Sequence, residues 1–379
     1  MEKQMITGLE TPALILDQEK MHLNIERMRT QINSLNVSFR QHVKTSKCIP
    51  VAERIMPGTG SIAVSTLREA DYFAAHGFKD ILYAVGIAPN KLQHVADFSQ
   101  RGVKLSIILD NIETARLIVE SIQQNKWNNF NILIEIDSDG QRAGIRPHAP
   151  ELIEIGLLLH KAGVNVEGVL THAGGSYHCQ SLAEIEAIAE QERLAAVIAA
   201  ERLRSAGIPC PVVSVGSTPT ALSAKHLDGV TEVRAGVFVF FDLVMSGLGV
   251  CRVDDIALSV LATVIGHQEE KGWTIIDAGW MAMSRDRGTA KQRVDQGYGV
   301  VCTIDGHPID DLIVIDANQE HGIIVHRSGK KSGAPKLPVG TLLRILPNHA
   351  CSTAAQFDRY QVIAKSPEIV DVWTRFNGW

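Results

Sequence analysis

The sequence predicts two domains, an N-terminal (β/α)₈ barrel and a C-terminal all-β domain. At 379 residues the chain has about twice the usual length of one domain. Between residues 37 and 237, eight β-rich runs alternate with longer helical patterns, which is typical of a closed TIM-type barrel. Beyond residue 250, short β-rich runs follow one another between Gly, Asp, Asn and Pro residues, which predicts a sheet domain.

Several barrel runs are apolar on consecutive residues, as strands covered on both faces are. The eight runs are VSFRQHVK (37–44), SIAVST (61–66), DILYAV (80–85), KLSIILD (104–110), NILIEID (131–137), VEGVLTHAG (166–174), VVSVGST (212–218) and TEVRAGV (231–237). Helical patterns lie between them at 67–76, 111–124, 150–161 and 182–205. An open doubly wound sheet would show the same alternation, but it usually has fewer strands, so the barrel is favoured.

Seven further runs predict the all-β domain. They are ALSVLATVIGHQ (257–268), WTIIDAG (273–279), YGVVCTI (298–304), DLIVIDA (311–317), HGIIVHR (321–327), TLLRILP (341–347) and YQVIAK (360–365). We therefore place the barrel domain at residues 12–250 and the β domain at residues 251–379, together with residues 1–11. The basic stretch 326–338 is predicted to be a solvated loop.

Composition argues against several classes of partner. Lys and Arg total 37 against 42 Asp and Glu, a net charge of −5, so no basic field would recruit nucleic acid or an anionic membrane. No apolar run reaches the ~18 residues of a membrane span, and the N-terminus lacks the apolar segment of a secretory signal. The six cysteines show no CxxC spacing and are expected to be reduced thiols. We expect a cytoplasmic protein with a small-molecule partner.

Polar side chains gather at the carboxyl ends of the predicted barrel strands, where such barrels carry their working groups. They are Lys44, Arg142, His172, Tyr177, Ser217, Thr218, Arg234 and Gly236. After the seventh strand, VGSTPTAL combines a glycine, hydroxyl groups and a proline suited to a first helical turn, and such turns bind phosphate through backbone N–H groups. The pattern is also a common helix cap, but its place in the strand order favours a phosphate site.

Lys44 ends the first predicted strand. A low dielectric constant at the barrel mouth would disfavour the charged ammonium and free the amine for a Schiff base with a carbonyl cofactor, although a lysine there can also be an ordinary surface residue. A reactive amine and a phosphate turn match the two ends of pyridoxal 5′-phosphate. Together they predict this cofactor.

His349 and Cys351 stand two residues apart in PNHACS (347–352). In an extended or turning loop, an imidazole nitrogen and a thiolate can bind one divalent metal, and this pair suits Zn²⁺ best, with Mn²⁺, Co²⁺ and Mg²⁺ left open. The spacing also occurs by chance. Two protein ligands would leave positions for water or substrate, as in catalytic metal sites.

Long blocks along the chain match one known family. They are HVKTSK (42–47), VSTLREA (64–70), DILYAV (80–85), THAGGSY (171–177), PCPVVSVGSTPTAL (209–222), LDGVTEVRAGVFVFFDLVM (227–245), DAGWMAMSRDRGTA (277–290), NQEHG (318–322) and LRILPNHAC (343–351). By these blocks the chain resembles the fold-type III pyridoxal phosphate enzymes, and among them the metal-dependent D-serine dehydratase and D-threonine aldolase group. One departure is Gln41, where the family more often has proline.

The resemblance implies a barrel of the alanine-racemase type and a role for each candidate residue. Lys44 would be the Schiff-base lysine, Arg142 would lie near the phenolic oxygen of the cofactor, and Tyr177 would line the imine side. The residues implied to cup the phosphate are Ser217, Thr218, Gly236 and Val237. His172 and Arg234 match the pair that racemases of this fold place beside the ring nitrogen, and His349 and Cys351 would hold the metal.

The implied activity is the elimination of water from a D-3-hydroxy amino acid, D-threo-3-hydroxyaspartate or D-serine, to give a 2-oxo acid and ammonia. Lys44 would remove the α-proton, and the metal would help the β-hydroxyl to leave. Two alternatives stay open: a D-threonine aldolase, which cleaves its substrate to glycine and an aldehyde, and an amino-acid racemase. Aldolases of the group resemble an HxD metal pair, so Cys351 favours dehydration.

The resemblance also implies a homodimer, because relatives close the barrel mouth with the β domain of a partner. Residues 277–288 and 318–322, rich in polar and small side chains, are the candidate closing surface. The substituent on Cβ of the substrate stays open. A second carboxylate would need a cation, for which Arg285, Arg287 and His178 are candidates.

Overall fold

The computed structural model describes residues 4–330, 335 and 337–379. Two compact units form within that part of the chain. The barrel unit contains Met28–Gly236 with Gly378–Trp379, and the sheet unit contains Val237–Asn377 with the N-terminal segment up to Arg27.

The barrel unit contains a closed barrel of eight parallel strands, which confirms the predicted fold class. The first barrel strand pairs with the last, Ser38 with Glu232 and Gln41 with Ala235, and so closes the sheet on itself. Strand β1 (Ala13–Asp17) belongs to the sheet unit. The barrel strands are β2 (Ser38–His42), β3 (Ile62–Val64), β4 (Asp80–Gly86), β5 (Lys104–Leu109), β6 (Asn131–Ile136), β7 (Asn165–Thr171), β8 (Val212–Val215) and β9 (Glu232–Ala235).

Helices connect these strands, and several begin at caps that the sequence supplies. Asn111, Ser181 and Ser217 each accept the N–H of the residue three positions on, which satisfies one of the unpaired donors at a helix start. The helices are α1 (Gln18–Leu35), α2 (Ile49–Ile55), α3 (Leu67–Ala75), α4 (Leu92–Gln100), α5 (Ile112–Asn125), α6 (Pro150–Lys161), α7 (Leu182–Ser205) and α8 (Thr218–Ser223).

The barrel interior has an apolar layer with polar groups beyond it. One residue from each of five neighbouring strands forms this layer: Ala63, Leu82, Ile108, Leu133 and Leu170. Because side chains alternate between the two faces of a strand, the residue two positions further on also faces inward and lies nearer the carboxyl end. Glu135 and His172 follow the layer by this spacing. The polar groups at the barrel mouth therefore stand on an apolar floor.

The sheet unit contains a nine-stranded, mostly antiparallel sheet, which confirms the predicted β domain. Its strands are β1, β10 (Leu258–Gln268), β11 (Trp273–Ile276), β12 (Gly299–Cys302), β13 (Pro308–Ala317), β14 (Gly322–His326), β15 (Leu342–Pro347), β16 (Arg359–Ile363) and β17 (Ile369–Thr374). Their order is β11-β14-β13-β12-β15-β10-β1-β16-β17, and β11 also pairs with β10. Three short helices join them: α9 (Leu243–Gly247), α10 (Trp280–Met283) and α11 (Ala350–Ala354).

β1 brings the N-terminal segment into the sheet. It pairs antiparallel with β10 and parallel with β16, and Ile15 is buried with Leu261 and Ile363. The predicted ranges, 12–250 and 251–379, therefore differ from the compact units, since β1 and residues 237–250 lie in the sheet unit. An apolar run near the N-terminus carries no local signal for its distant partners, because strand pairing depends on tertiary packing.

No helix in the described part of the chain is long and apolar enough to cross a membrane. The predicted solvated loop 326–338 is described only in part, because residues 331–334 and 336 lie outside the described residues.

Candidate active site

Lys44 lies in a tight turn directly after β2. A 2.7 Å hydrogen bond from the Lys47 N–H to the Val43 carbonyl oxygen closes the turn. Lys44 is exposed, because the turn carries it past the end of the strand. The ammonium of Lys47 instead forms a 2.8 Å ion pair with the fully buried carboxylate of Glu69. Of these two lysines, Lys44 presents the accessible amine.

Two neutral histidines lie close to this turn. His42 Nδ1 accepts a long hydrogen bond, 3.4 Å, from the Lys44 N–H, and burial, aided by Lys44, Arg234 and His172, holds the pKa of His42 well below its usual value. Burial also lowers the pKa of His172 to about 3, and Arg142, Lys44 and Arg234 add to the effect. These electrostatic contacts place Lys44, His172 and Arg234 in one cluster.

The turn between β8 and α8 has the groups expected of a phosphate site. Ser217 Oγ accepts the Thr220 N–H at 3.2 Å, and Thr220 Oγ1 accepts the Ser217 N–H at 3.1 Å. Ser217 and Thr218 are both buried. His172 Nδ1 donates a 2.9 Å hydrogen bond to the Gly216 carbonyl oxygen, which ties the loops after β7 and β8 together.

Gly216 and Gly236 stand where the chain approaches itself too closely for a side chain. Gly216 has a φ of +145°, and a Cβ atom there would lie 2.0 Å from the Arg234 carbonyl oxygen. At Gly236 a Cβ atom would lie 2.8 Å from the His42 carbonyl oxygen. At both positions the protein's own backbone occupies the space that a side chain would need, so glycine is required for the two strand ends to pack this closely. Val237, the next residue, is buried and begins the 3₁₀ segment Val237–Val239.

We expect Gly216→Ala to lower the free energy of unfolding by at least about 2 kcal/mol, because the backbone conformation is strained for any other residue and Cβ would overlap a backbone oxygen. Urea unfolding followed by circular dichroism measures the change. Gly86→Ala is the matched control, since a Cβ atom at Gly86 meets nothing within 4 Å. Equal unfolding midpoints for the two variants would contradict the expectation.

The guanidinium of Arg234 is buried at the end of β9. It donates to Ser214 Oγ and to the Thr171 carbonyl oxygen, each at 2.5 Å. Ser214 donates in turn to Glu232 at 2.6 Å, and Glu232 accepts from Arg40 Nε at 2.8 Å. Burial lowers the pKa of Arg234. These hydrogen bonds, which join residues of four strands, fix the direction of the guanidinium.

Arg142 and Tyr177 lie on the loops after β6 and β7. Arg142 donates to the buried carboxylate of Glu135 at 3.3 Å, and burial raises the pKa of that carboxyl. Tyr177 is half-buried in the 3₁₀ segment Gly174–His178, with its ring centroid 6.0 Å from that of His172. Both residues therefore lie on loops at the barrel end that carries the Lys44 turn.

The barrel candidates provide an accessible amine, a neutral imidazole, a phenol, a buried guanidinium and a turn rich in glycine and hydroxyl groups. An amine can bind an aldehyde covalently, and such a turn can bind an anion. The arrangement therefore fits a planar aromatic ligand that carries an aldehyde and a phosphate.

In the sheet unit, His349 and Cys351 lie at the start of α11. His349 is the N-cap residue and Cys351 falls in the first helical turn, where an extended or turning loop was predicted. The change from extended to helical backbone brings the two side chains together, and they are hydrogen-bonded. The Asp286 carboxylate accepts a 2.6 Å hydrogen bond from His349 Nδ1. Nε2 of His349 is therefore the nitrogen left to bind a metal.

The surroundings of His349 favour a positive charge. Burial opposes the charged imidazole, but Cys351, Asp286 and Asp242 outweigh burial and raise the pKa of His349 to about 11. A carboxylate that accepts from one ring nitrogen commonly orients a histidine whose other nitrogen binds a metal. The donor set therefore fits a divalent cation.

Asp242 and Asn348 hold the segment that contains the two candidate ligands. Buried Asp242 accepts the N–H of Ala350 at 2.9 Å, and Asn348 donates to the Gly297 carbonyl oxygen at 2.6 Å. Sequence reasoning did not single out Asp286 or Asp242. The only sequence signal for a role was that each lies in a block that matches the family, Asp286 in 277–290 and Asp242 in 227–245.

Within the described ranges, no group of three or more His, Cys, Asp and Glu side chains is placed to hold a metal ion. The candidate centre is therefore the pair His349 and Cys351. Any further ligand would have to be water or a bound molecule.

Two family models match the chain. The model of "Alanine racemase, N-terminal domain" matches residues 16–244, and the model of "Putative serine dehydratase domain" matches residues 257–363. The first match covers the whole barrel and more than half of the chain.

Three curated relatives align over nearly the whole chain. D-threo-3-hydroxyaspartate dehydratase of Delftia sp. strain HT23 is 52% identical over 98% of each chain. D-serine dehydratase of Dictyostelium discoideum is 30% identical over 99% of this chain and 98% of its own length. D-threonine aldolase of Arthrobacter sp. is 27% identical over 97% of this chain and 92% of its own length.

The solved structure of the Delftia dehydratase superimposes with a TM-score of 0.96, at 50% identity and with full coverage of both chains. Two variant structures of a D-threo-3-hydroxyaspartate dehydratase superimpose equally well, each with a TM-score of 0.96 at 50% identity. One replaces a histidine by alanine, and the other, described as metal-free, replaces a cysteine two positions further along by alanine. The chain therefore belongs to the pyridoxal phosphate-dependent alanine racemase-like family, in the branch that includes the D-threo-3-hydroxyaspartate and D-serine dehydratases.

Proposed function

We propose that this protein eliminates water from a D-3-hydroxy amino acid and releases a 2-oxo acid and ammonia. The preferred substrate is D-threo-3-hydroxyaspartate, with D-serine as the second candidate. The observation that carries the proposal is the hydrogen-bonded pair His349 and Cys351 in a chain that is 52% identical to a D-threo-3-hydroxyaspartate dehydratase. An aldolase of this group would be expected to carry an aspartate at position 351.

The barrel residues suit pyridoxal phosphate. Ser217 and Thr218, together with the backbone at Gly236 and Val237, would receive the phosphate. Arg234 would present its fixed guanidinium to the ring nitrogen, and Arg142 would lie toward the phenolic oxygen. Bound there, the cofactor would withdraw electrons from Cα of the substrate.

Lys44 has two tasks in the proposed reaction. Its exposed amine would hold the cofactor, and the free amine would be the base for the α-proton of the substrate. His172 is neutral at physiological pH, so it can pack against the cofactor without adding a charge. Tyr177, beside His172, would line the imine side and limit the directions from which substrate enters.

His349 and Cys351 would hold a divalent metal, with Zn²⁺ best suited to the nitrogen and sulfur donors and Mn²⁺, Co²⁺ and Mg²⁺ as the other candidates. Such a metal would act as a Lewis acid toward the β-hydroxyl, which is otherwise a poor leaving group. Asp286 would orient the His349 ring through the 2.6 Å hydrogen bond. Metal dependence is supported by the metal-free form described for a D-threo-3-hydroxyaspartate dehydratase variant.

A cation is needed only if the substrate carries a second carboxylate. Arg287 already pairs with Asp295 at 2.8 Å. The guanidinium of Arg285, exposed, lies 4.8 Å above the Trp280 ring centroid. We propose that Arg285, rather than Arg287, contacts the second carboxylate, because Arg287 is already paired with Asp295.

An assay of oxo acid and ammonia over four substrates tests the reaction and its stereochemistry. With Lys44 as the single base, only an enantiomer whose Cα–H faces the lysine can react. We expect turnover of D-threo-3-hydroxyaspartate, weaker turnover of D-threonine and D-serine, and none of L-threo-3-hydroxyaspartate.

Glycine in place of ammonia would identify an aldolase, because Cα–Cβ cleavage leaves the amino group on glycine. Oxo acid alone does not decide, since cleavage of 3-hydroxyaspartate would give glyoxylate, which is also an oxo acid. Interconversion of D and L isomers without ammonia release would identify a racemase. Equal turnover of the D-threo and L-threo substrates would contradict the single-base mechanism, since it requires a second base on the opposite face.

We propose a homodimer whose contact surface includes residues 277–288 and 318–322. These segments lie side by side: the Trp280 N–H donates to the Asn318 carbonyl oxygen at 2.9 Å, and the Met281 N–H donates to that of Gln319 at 3.1 Å. Met281 is 44% exposed, so an apolar side chain is available for a partner. Static light scattering at assay concentration is expected to give twice the chain mass. A fully active monomer would refute the assembly.

The proposed compartment is the cytoplasm. All six cysteines lie in the described part of the chain and none forms a disulfide, which suits a reducing environment. The net charge of −5 favours neither a nucleic acid nor an anionic membrane as partner.

A further inference from the structure

Glu192 of α7 is a buried carboxylate at the back of the loops that follow β7 and β8. Only 2% of the residue is exposed. Its Oε1 accepts two backbone hydrogen bonds, each 3.0 Å, from the N–H groups of Ala173 and Gly216. The Thr220 side chain also lies close enough to the carboxylate to lower its pKa. One side chain thus contacts three points on two loops.

Burying a carboxylate costs free energy, so the placement of Glu192 indicates a specific role. Burial raises the pKa of Glu192, against the contacts with Gly216, Thr220 and Ala173, which lower it. Its neighbours on the buried face of α7 are small and apolar: Ala189, Ala195, Ala196 and Ala199. An alanine would continue that pattern. The carboxylate supplies the acceptor for two backbone N–H groups, and an alanine would remove that acceptor.

Each contact of Glu192 controls a group that the cofactor would meet. Ala173 directly follows His172. The Gly216 N–H is held by Glu192, while its carbonyl oxygen accepts the 2.9 Å hydrogen bond from His172 Nδ1. A carbonyl oxygen can only accept, so Nδ1 of the neutral ring carries the hydrogen and Nε2 is left as an acceptor.

The third contact reaches the phosphate turn. Thr220 exchanges hydrogen bonds with Ser217, and the two hydroxyl oxygens lie 2.9 Å apart. Holding Thr220 therefore holds the cap that shapes the turn around Ser217. Glu192 contacts both loops from the long helix α7. His172 and Gly216, by contrast, lie on the loops themselves.

We propose that Glu192 is a positioning residue that sets the shape of the phosphate turn and the orientation of His172 before the cofactor binds. The inference rests on the proposed function, since it takes these two loops as the cofactor site. It predicts that loss of the Glu192 hydrogen bonds weakens recognition of the phosphate more than recognition of the pyridine ring.

The test compares the binding of pyridoxal phosphate and of pyridoxal, which lacks the phosphate, to the full-length chain freed of cofactor, by absorbance titration. For Glu192→Ala we expect the Kd of pyridoxal phosphate to rise about tenfold or more, because buried donors left without an acceptor shift equilibria by that order. The Kd of pyridoxal should change by less than about threefold on the same scale. Glu192→Gln keeps an acceptor oxygen of the same reach and should restore pyridoxal phosphate binding to near the wild-type value.

Glu190→Gln is the matched control. Glu190 lies on the same helix but forms a surface ion pair with Arg193 at 2.7 Å, so its loss should leave both dissociation constants unchanged. A parallel loss of affinity for both ligands in Glu192→Ala, or a glutamine variant as weak as the alanine variant, overturns the proposal. Wild-type protein that binds neither ligand refutes the proposed function instead, so the two failures are distinct. If Glu192→Ala does not fold, Glu192→Asp, which keeps the charge but shortens the side chain by one methylene, should still weaken pyridoxal phosphate binding selectively.

Discussion

Replacement of Lys44 by alanine is expected to abolish turnover and to leave any bound cofactor without a covalent link to the protein. Lys44 is proposed both as the covalent attachment point and as the α-proton base, and the loss of a general base alone lowers rates on the order of 10²–10⁴-fold. In the wild-type protein, borohydride reduction followed by peptide mapping should place the cofactor on the peptide that contains Lys44.

Lys47→Arg provides the matched control for that experiment. Lys47 lies three residues away, but its ammonium pairs with buried Glu69 at 2.8 Å, and arginine can keep that pair. This variant should therefore retain the label on Lys44 and most of the activity. Recovery of the label on Lys47 in the wild-type protein would overturn the assignment.

The barrel was predictable because its strands are local features. Each strand is a short apolar run between polar breaks, and eight such runs in alternation with helices leave few other architectures. The Lys44 turn and the Ser217 turn were predictable for the same reason, since each is a contiguous motif at a strand end. Their partners were harder to predict.

Glu192 illustrates the difficulty. In the sequence it is one of several glutamates in a 24-residue helix, and its immediate neighbours do not separate it from Glu190, which is only half-buried. The distinction arises only when α7 packs on the barrel and carries Glu192 to the N–H groups of Ala173 and Gly216. A polar residue on a buried helix face was the available signal.

The pairing of β1 and the role of Asp286 were hard to predict for the same reason. β1 pairs with β10 and β16, which follow it by more than 200 residues, and Asp286 meets His349 from 63 residues away. Neither contact has a fixed sequence spacing, whereas His349 and Cys351 do, so the pair was found and its orienting carboxylate was not.

Alanine in place of Cys351 is expected to abolish dehydration while leaving the cofactor bound. Removal of the thiolate leaves His349 as the single candidate protein ligand, and one imidazole cannot hold a divalent ion against water or a chelator. Without Lewis-acid assistance hydroxide must leave unaided, so the rate should fall on the order of 10³-fold or more, the scale of several kcal/mol that a metal supplies. Chelation of the wild-type protein should have the same effect and be reversed by added Zn²⁺ or Mn²⁺.

Cys210→Ala is the matched control for Cys351→Ala, because it removes a buried cysteine sulfur just before the barrel strand β8, outside the candidate metal pair. It should keep its metal content and its response to chelation. Metal content is measured by plasma emission and cofactor content by absorbance, so that loss of the metal is separated from loss of the cofactor. Full activity of the metal-depleted wild-type protein would refute the role of His349 and Cys351, because the β-hydroxyl would then be leaving without the group that these residues are proposed to hold.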